Sequence, residues 1–187
     1  MPIITINNKD NKAFEVILDQ EDYDKVIALG KWYISNPNKK HIFYAEKQLT
    51  ERQLENINSE RLLAGLKPLK KTVLMHRYVL DLASNSGSGH NQHVVDHIDG
   101  NGLNNSRSNL RICDRTQNCY NRKPRSNSQT GYRGVGKIGK NSWCARITPR
   151  DQKQTIIGYY KTAEEAAYAY DEKAKELFGE FAKLNFQ

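Results

Sequence analysis

A polar run with a proline and no apolar side chain, Lys123–Thr130 (KPRSNSQT), divides the chain. It reads as a basic linker, here taken as 123–131, so the parts on either side are expected to fold around separate cores. After it the pattern is regular. Tyr132–Val135 is a strand candidate, and Trp143, Ala145 and Ile147 alternate with Cys144, Arg146 and Thr148, a period of two that buries one face and opens the other. Thr155–Tyr160 is a third strand, with Gly158 as a bulge. Thr162-Ala163-Glu164-Glu165 caps a helix that Gly179 ends; Ala163, Ala167, Tyr170, Ala174, Leu177 and Phe178 make its apolar face. The expectation for 132–187 is a three-stranded antiparallel sheet packed on one helix, with Cys144, Arg146 and Thr148 on the free face.

Ahead of the linker, residues 1–75 read as an α/β support region. Strands are expected at Ile3–Ile6, Phe14–Leu18, Trp32–Ile34, Ile42–Ala45 and Thr72–Met75, the third and fourth separated by the turn signal Asn36-Pro37-Asn38. Helices are expected at Asp19–Leu29, from a capping box at Thr50 through Leu63 or Ala64, and at His76–Leu82. Nothing in this region carries recognisable chemistry, so its expected role is support and contact with a DNA backbone. A Ser/Asn/Gly loop, Ser84–Gly89, leads to Val94-Val95, a long polar arc, Leu110–Cys113 and a short helix at Thr116–Arg122. So little apolar mass needs a metal or a neighbouring structure to hold it.

Charge narrows the function classes. The 29 Lys and Arg outnumber the 21 Asp and Glu, for a net +8. Residues 123–161 alone hold nine basic and one acidic side chain, as concentrated as a nucleic-acid footprint or a solvated basic loop. No apolar run approaches the roughly 18 residues that span a bilayer, so no membrane partner is expected. No basic segment followed by an apolar core opens the chain, and Cys113, Cys119 and Cys144 form no CxxC pair. An intracellular, nucleoid-associated protein is expected, with Cys113 and Cys119 as buried thiols.

Asp96, His97, Asn109 and Asn118 are the candidate chemical residues. Phosphodiester hydrolysis needs a base to activate water and a cation to neutralise charge growing on phosphate. A neutral imidazole is such a base, and a carboxylate with an amide oxygen is a hard ligand set suited to one Mg²⁺ or Mn²⁺. Neighbours on a regular strand point to opposite faces, so Asp96 and His97 share a site only where the strand twists or ends. Two runs, DHIDGNGLNNSRSNL and TQNCYNR, preceded by MHRYVLDLA, resemble HNH nucleases of the phage and intron-associated homing type, over His76–Arg122. The resemblance implies a ββα-metal centre in 76–122. Asp96 would be the metal-binding acid, His97 the general base, Asn109 the brace that orients it and Asn118 the second metal ligand. The family's ion stabilises the scissile phosphate and the departing 3′ oxygen. His76 has a structural role as the first reading, and His90 and His93 either reach phosphate or are solvated.

The segments GYRGV, WCARI and IIGYYKTAEEAAYAYDEKAKELFGEFAKLNF, over Gly131–Phe186, resemble the plant Apetala-type, ethylene-response-factor DNA-binding domain. That family docks its sheet in the major groove. Arg133, Lys137, Arg146, Thr148, Gln154 and Tyr159 fall at or near family contact positions, with Arg150 as a further basic residue. Gly136, Ile138 and Ile156 replace residues that commonly read or contact DNA there, so the target is not inherited. The whole is thus expected to be an α+β, metal-dependent, site-specific endonuclease acting on double-stranded DNA, a monomer nicking one strand unless it dimerises. The competing readings are a non-enzymatic DNA-binding regulator and a restriction-type HNH nuclease.

Overall fold

The computed structural model describes residues 1–36, 42–83, 93–120, 130–149 and 152–186. Pro37-Asn38, the Ser84–Gly89 loop, His90, Arg122, the 123–129 part of the linker and Arg150 lie outside the described residues. The chain is α+β, with several small antiparallel sheets, and forms two compact units, Met1–Cys113 and Asp114–Gln187.

In the first unit β1 (Ile3–Asn7) and β2 (Ala13–Ile17) pair as a hairpin. Its turn is held by Asn8 Oδ1, which accepts from the backbone N–H of Asp10 and Lys12. Helix α1 (Gln20–Ala28) is stopped at Gly30, whose φ of 83° is a conformation that side chains with a Cβ rarely adopt. Strands β3 (Tyr33–Ser35), β4 (Tyr44–Gln48) and β5 (Thr72–Leu74) form an antiparallel sheet in that order. Helix α2 (Glu51–Leu63) lies between β4 and β5 in the chain, and Thr50 and Gln53 close the capping box expected of them. Helix α3 (Met75–Val79) follows β5 directly. Last come β6 (Val94–His97) and β7 (Leu110–Cys113), an antiparallel pair.

The polar arc between β6 and β7 is held by neighbouring structure. The unit's core is built from residues such as Val16, Leu18, Val26, Trp32, Leu49, Met75 and Val79, and the arc and β7 add Leu103 and Leu110 to it. Backbone bonds fasten the arc to the end of β2: Ile17 N–H donates to Leu103 O at 3.0 Å, and Asn105 N–H to Ile17 O at 2.8 Å. Arg107 supplies the rest. Its backbone N–H donates to Asp19, and its guanidinium donates to both oxygens of Asp22 at 2.8 Å and to Val79 O at 3.1 Å. Asp22 is only 1% exposed, so its charge is compensated by this one fork rather than by water.

In the second unit, α4 (Arg115–Tyr120) precedes a sheet ordered β10 (Thr155–Tyr160), β9 (Ser142–Ile147), β8 (Val135–Gly139), packed on α5 (Ala163–Phe178). Val135, Ala145 and Ile147 meet Ala166, Ala167, Tyr170, Ala174 and Phe178. The bulge expected at Gly158 is present as a register shift between Ile156 and Gly158. Three expectations are corrected. The first strand starts at Val135 rather than Tyr132, because Gly131 and Gly134 take φ of 69° and 72° and hold a turn there. A Cβ on Gly134 would also collide with the Tyr170 ring. Cys144 is buried, a small side chain on the central strand between Gly136 and Tyr159. Leu177 is exposed, while Ala166 and Asp171 are buried instead. Asp171 turns inward because it accepts hydrogen bonds from the backbone of Asn185 and Phe186. No helix among the described residues is long and apolar enough to cross a membrane.

Replacing Arg107 with Ala leaves the Asp22 carboxylate buried without its partner. The expected loss is about 3 kcal/mol of stability, read as a lower urea midpoint for the first unit.

Candidate functional site

At the end of β6 the first unit sets His97 against His76 and Tyr44. His97 is the strand's last residue; Gly100, at φ 74°, turns the chain just beyond, and its N–H donates to His97 O at 2.8 Å. Asp96 and His97 are both 6% exposed. Antiparallel register sets Asp96 opposite Arg111, whose Nε and Nη2 both donate to Asp96 Oδ2, at 2.9 and 2.7 Å. The His97 ring faces two other rings, with centroids 5.1 Å from His76 and 5.9 Å from Tyr44. The Asp96 charge acts on both His97 and Tyr44, in each case as a smaller influence than burial.

Burial sets the electrostatics here. It lowers the His97 pKa, against opposing pulls from Asn105, Asp99 and Asp96, so the ring resists protonation. It raises that of Tyr44, and Asp96 adds to the effect. His76 is pushed down to about 3, by burial first and then by His97 and Arg77. Its Nδ1 is buried without a hydrogen-bond partner, at the margin of a cleft of about 710 Å³ that Ser35, Tyr44, Lys70, Lys71 and Arg77 also line.

Asn109 is committed to the turn. Its Oδ1 accepts from Asp99 N–H at 3.0 Å, and its Nδ2 donates to Asp99 Oδ1 at 3.0 Å and Asn104 O at 2.8 Å. Burial opposes ionisation of Asp99, but donors from Asn101, Asn104 and Asn109 hold its carboxyl below the usual value. The side chain that approaches His97 is Asn105, with Oδ1 3.4 Å from Nε2. Among the described residues no three His, Cys, Asp or Glu side chains group as a metal site. Asp96 and Asn118 are oxygen donors, the chemistry of a hard divalent ion rather than of zinc held by thiolates. Asn118 lies on α4, in the second unit. His93 is exposed and its carbonyl accepts from Arg77, whereas His90 lies outside the described residues.

Tyr44, Asn105 and Arg111 are site residues that sequence reasoning passes over. Pairing the two short strands would have found Arg111. Asn105 is masked by its company, since Asn101, Asn104 and Asn109 all look like turn residues, and nothing in the sequence marks Tyr44.

The second unit disperses its candidate contacts. Arg146 and Tyr159 share the sheet face away from α5, with Thr148 exposed just past β9 and Gln154 exposed just before β10. Arg146 lies over Gly136, where any Cβ would meet its guanidinium. Lys137 is paired with Trp143, on the face that carries Val135 and Ala145, its ammonium 5.3 Å from the indole. The Arg133 guanidinium donates to the Tyr170 hydroxyl at 2.7 Å and to Cys119 O at 3.3 Å. Exposed Ile138, Ile156 and Tyr159 make this sheet partly apolar.

Comparison with known proteins divides along the chain. Residues 85–120 match the family model described as HNH endonuclease. An uncharacterized HNH endonuclease of Acanthamoeba polyphaga mimivirus is 39% identical over 111 residues, 59% of this chain and 56% of that protein. Protein 3.8 of Escherichia phage T7 is 30% identical over 93 residues, 49% of this chain and 75% of that protein. A separate segment is 43% identical over 61 residues to dehydration-responsive element-binding protein 2A of Arabidopsis thaliana, 32% of this chain and 18% of the plant protein. The chain thus spans just over half of the mimivirus relative and under a fifth of the plant one.

Buried His76 makes stability depend on pH. Below about 6.5 the unfolded chain takes up a proton that folded His76 does not accept until about pH 3. Its contribution is therefore complete above 6.5 and is lost as pH falls through that window, by about 1.4 kcal/mol per unit. Urea unfolding between pH 7.5 and 5 should show this extra slope in wild type and not in His76→Phe.

Proposed function

We propose that this chain, which belongs to the HNH endonuclease family, is a metal-dependent, site-specific DNA endonuclease of the homing type, nicking one strand as a monomer inside the cell. The observation that carries the reading is a buried histidine at the end of β6 whose pKa burial lowers, with an acidic neighbour. A base of this kind is ready at neutral pH to take a proton from water. His97 is assigned that step. Asp96 and Asn118 are the residues that would hold one Mg²⁺ or Mn²⁺ in a ββα-metal centre. Such an ion, when bound, neutralises charge developing on the phosphate and the leaving oxygen.

The remaining polar groups position these. Arg111 steers the Asp96 carboxylate from across the strand pair. Asn109 braces the 98–104 turn through Asp99 and Asn104, and so fixes where the backbone leaves His97. His76 and Tyr44 wall the imidazole off from bulk water.

The second unit is assigned to selecting and holding the DNA. The likeness to plant proteins named as element-binding supports this, as does the basic 123–161 stretch. Arg146, Thr148, Gln154 and Tyr159 are the contacts expected from its exposed surface. Lys137 would reach DNA from the edge of the sheet, and Arg133 would act chiefly by fixing the turn that starts it. Arg146 either reads a base edge or neutralises a phosphate.

A supercoiled plasmid carrying the target tests the reading, with Mg²⁺ or Mn²⁺ against EDTA. Metal-dependent nicked circles are expected from wild type. His97→Ala should cut roughly 10²- to 10⁴-fold more slowly while keeping its affinity for DNA. Tight, metal-independent binding to a verified target without cutting under either ion would sink the nuclease assignment. Arg146→Ala should leave chemistry alone, weaken binding and lower the slope of log affinity against log salt by about 1; fluorescence anisotropy over a salt series measures it.

A further inference from the structure

We propose that the cleft beside His76 is a guanine-binding site, which takes the base of a guanine nucleotide. The register of β3, β4 and β5 puts Ser35, Tyr44, Glu46, Thr72 and Leu74 on one face of the sheet, while Ile34, Ala45 and Val73 face the core. The first face lines one side of the cleft, whose volume of about 710 Å³ suits a small organic group. Val94 and Val95 of β6 close it, with Lys70, Lys71 and Arg77 as its cations. Arg77 is committed to Ala83 O and Lys71 to Glu51, the second an exposed pair worth little.

Glu46 decides what the cleft can hold. It sits half-buried on the central strand, opposite Tyr33 on one side and Leu74 on the other. Its carboxylate makes no hydrogen bond or ion pair among the described residues. An ionised carboxylate only accepts hydrogen bonds and repels a bare phosphate, whereas a lysine only donates. A ligand that answers both needs adjacent donors on one edge and acceptors on another. Guanine has them, with N1–H and the N2 amino group side by side for a carboxylate, and O6 and N7 for a cation. Thymine offers a single donor between two carbonyls, and adenine and cytosine set an acceptor beside their amino groups. The Tyr44 ring and the side chains of Leu74, Val94 and Val95 suit the faces of the base. Ser35 Oγ and His76 Nδ1 are buried at the cleft without a hydrogen-bond partner in the protein. Such atoms are ordinarily paired, and the exceptions mark places that something else completes. Two walls of the cleft, the rings of Tyr44 and His76, are also the rings that face His97. On the nuclease reading, which the inference rests on only for the source of its nucleotide, the guanine belongs to DNA close to the bond that is cut. Its Watson–Crick edge is open to Glu46 only when it is unpaired, so the base is turned out of the stack.

The test uses the full chain without metal, followed by ¹H–¹⁵N correlation spectra during titration with dGMP and with dIMP, which lacks only the N2 amino group. Addition of dGMP should move the amide signals of Ser35, Glu46 and Leu74 saturably. It should bind about 10-fold more tightly than dIMP, dAMP, dCMP or dTMP. Glu46→Gln should bring dGMP down to the level of dIMP. Equal binding of dGMP and dIMP by wild type, or shifts confined to other parts of the chain, overturns the proposal whether or not that variant folds. A fluorescent pteridine analogue of guanine, placed in turn at each guanine around the nick, identifies the source. Its emission should rise at one position when the protein binds in EDTA, and stay quenched with Glu46→Gln. Binding of free dGMP with no rise at any position would make a soluble guanine nucleotide the occupant. A protein that prefers dGMP at Glu46 but never cuts DNA keeps this inference and loses the nuclease reading. Cutting by a protein whose Glu46 signal ignores dGMP does the reverse.

Discussion

The fork from Arg107 to Asp22 is the interaction on which the first unit turns. The arc between β6 and β7 brings chiefly Leu103 to the core, far too little to fold by itself. It is fastened to the body chiefly at Ile17, Asp19 and Asp22, close in sequence near the start of the chain, and also at Val79 O. Each fastening satisfies groups that the arc would otherwise leave unpaired away from water. The polar chain can then carry side chains such as His97 and Asn105 at near-zero exposure without apolar residues of its own. What looks in the sequence like a lead-in with no chemistry is the floor of the site.

That arrangement explains what could be read in advance. Asp96, His97 and Asn109 stand out through the resemblance of the DHIDGNGLNNSRSNL run to HNH nucleases, since an Asp-His pair alone is weak evidence. In the structure Asp96 and His97 end β6, and Asn109 bonds to Asp99 in the turn that follows. Asn105 could not be told from its neighbours, because which amide of an Asn-rich arc is buried depends on where the arc touches Ile17. Tyr44 arrives from a strand far earlier in the chain, and its relevance is purely tertiary. Arg111 is intermediate: the hairpin register that pairs it with Asp96 follows from two short apolar touches and the alternation of faces.

Elements were more legible than their edges. Capping boxes at Thr50 and Thr162 fix two helix starts because the signal is local and chemical. The strands of the second unit are found by alternation, but alternation fails at each irregularity. The positive φ of Gly134 delays the start of β8, and the register shift between Lys137 and Gly139 interrupts its alternation. Burial of Cys144 is hidden by its place on the open sheet face, and burial of Asp171 defies its side-chain type. One is a small residue shaded by its cross-strand neighbours, and the other is recruited by the chain's last turn.

Asp171 leads to a wider consequence. It grips Asn185, and Asn185 in turn bonds both the N–H and the carbonyl of Arg133, at 2.6 and 3.2 Å. The entrance and exit of the sheet-and-helix region are therefore side by side, closed like the clasp of a bracelet. A region whose ends already meet can be spliced into a loop of another protein, or hung from a tether, without its host having to span any distance. Such a clasp makes the region portable, and the arc of the first unit, stitched at several separate points, has no equivalent.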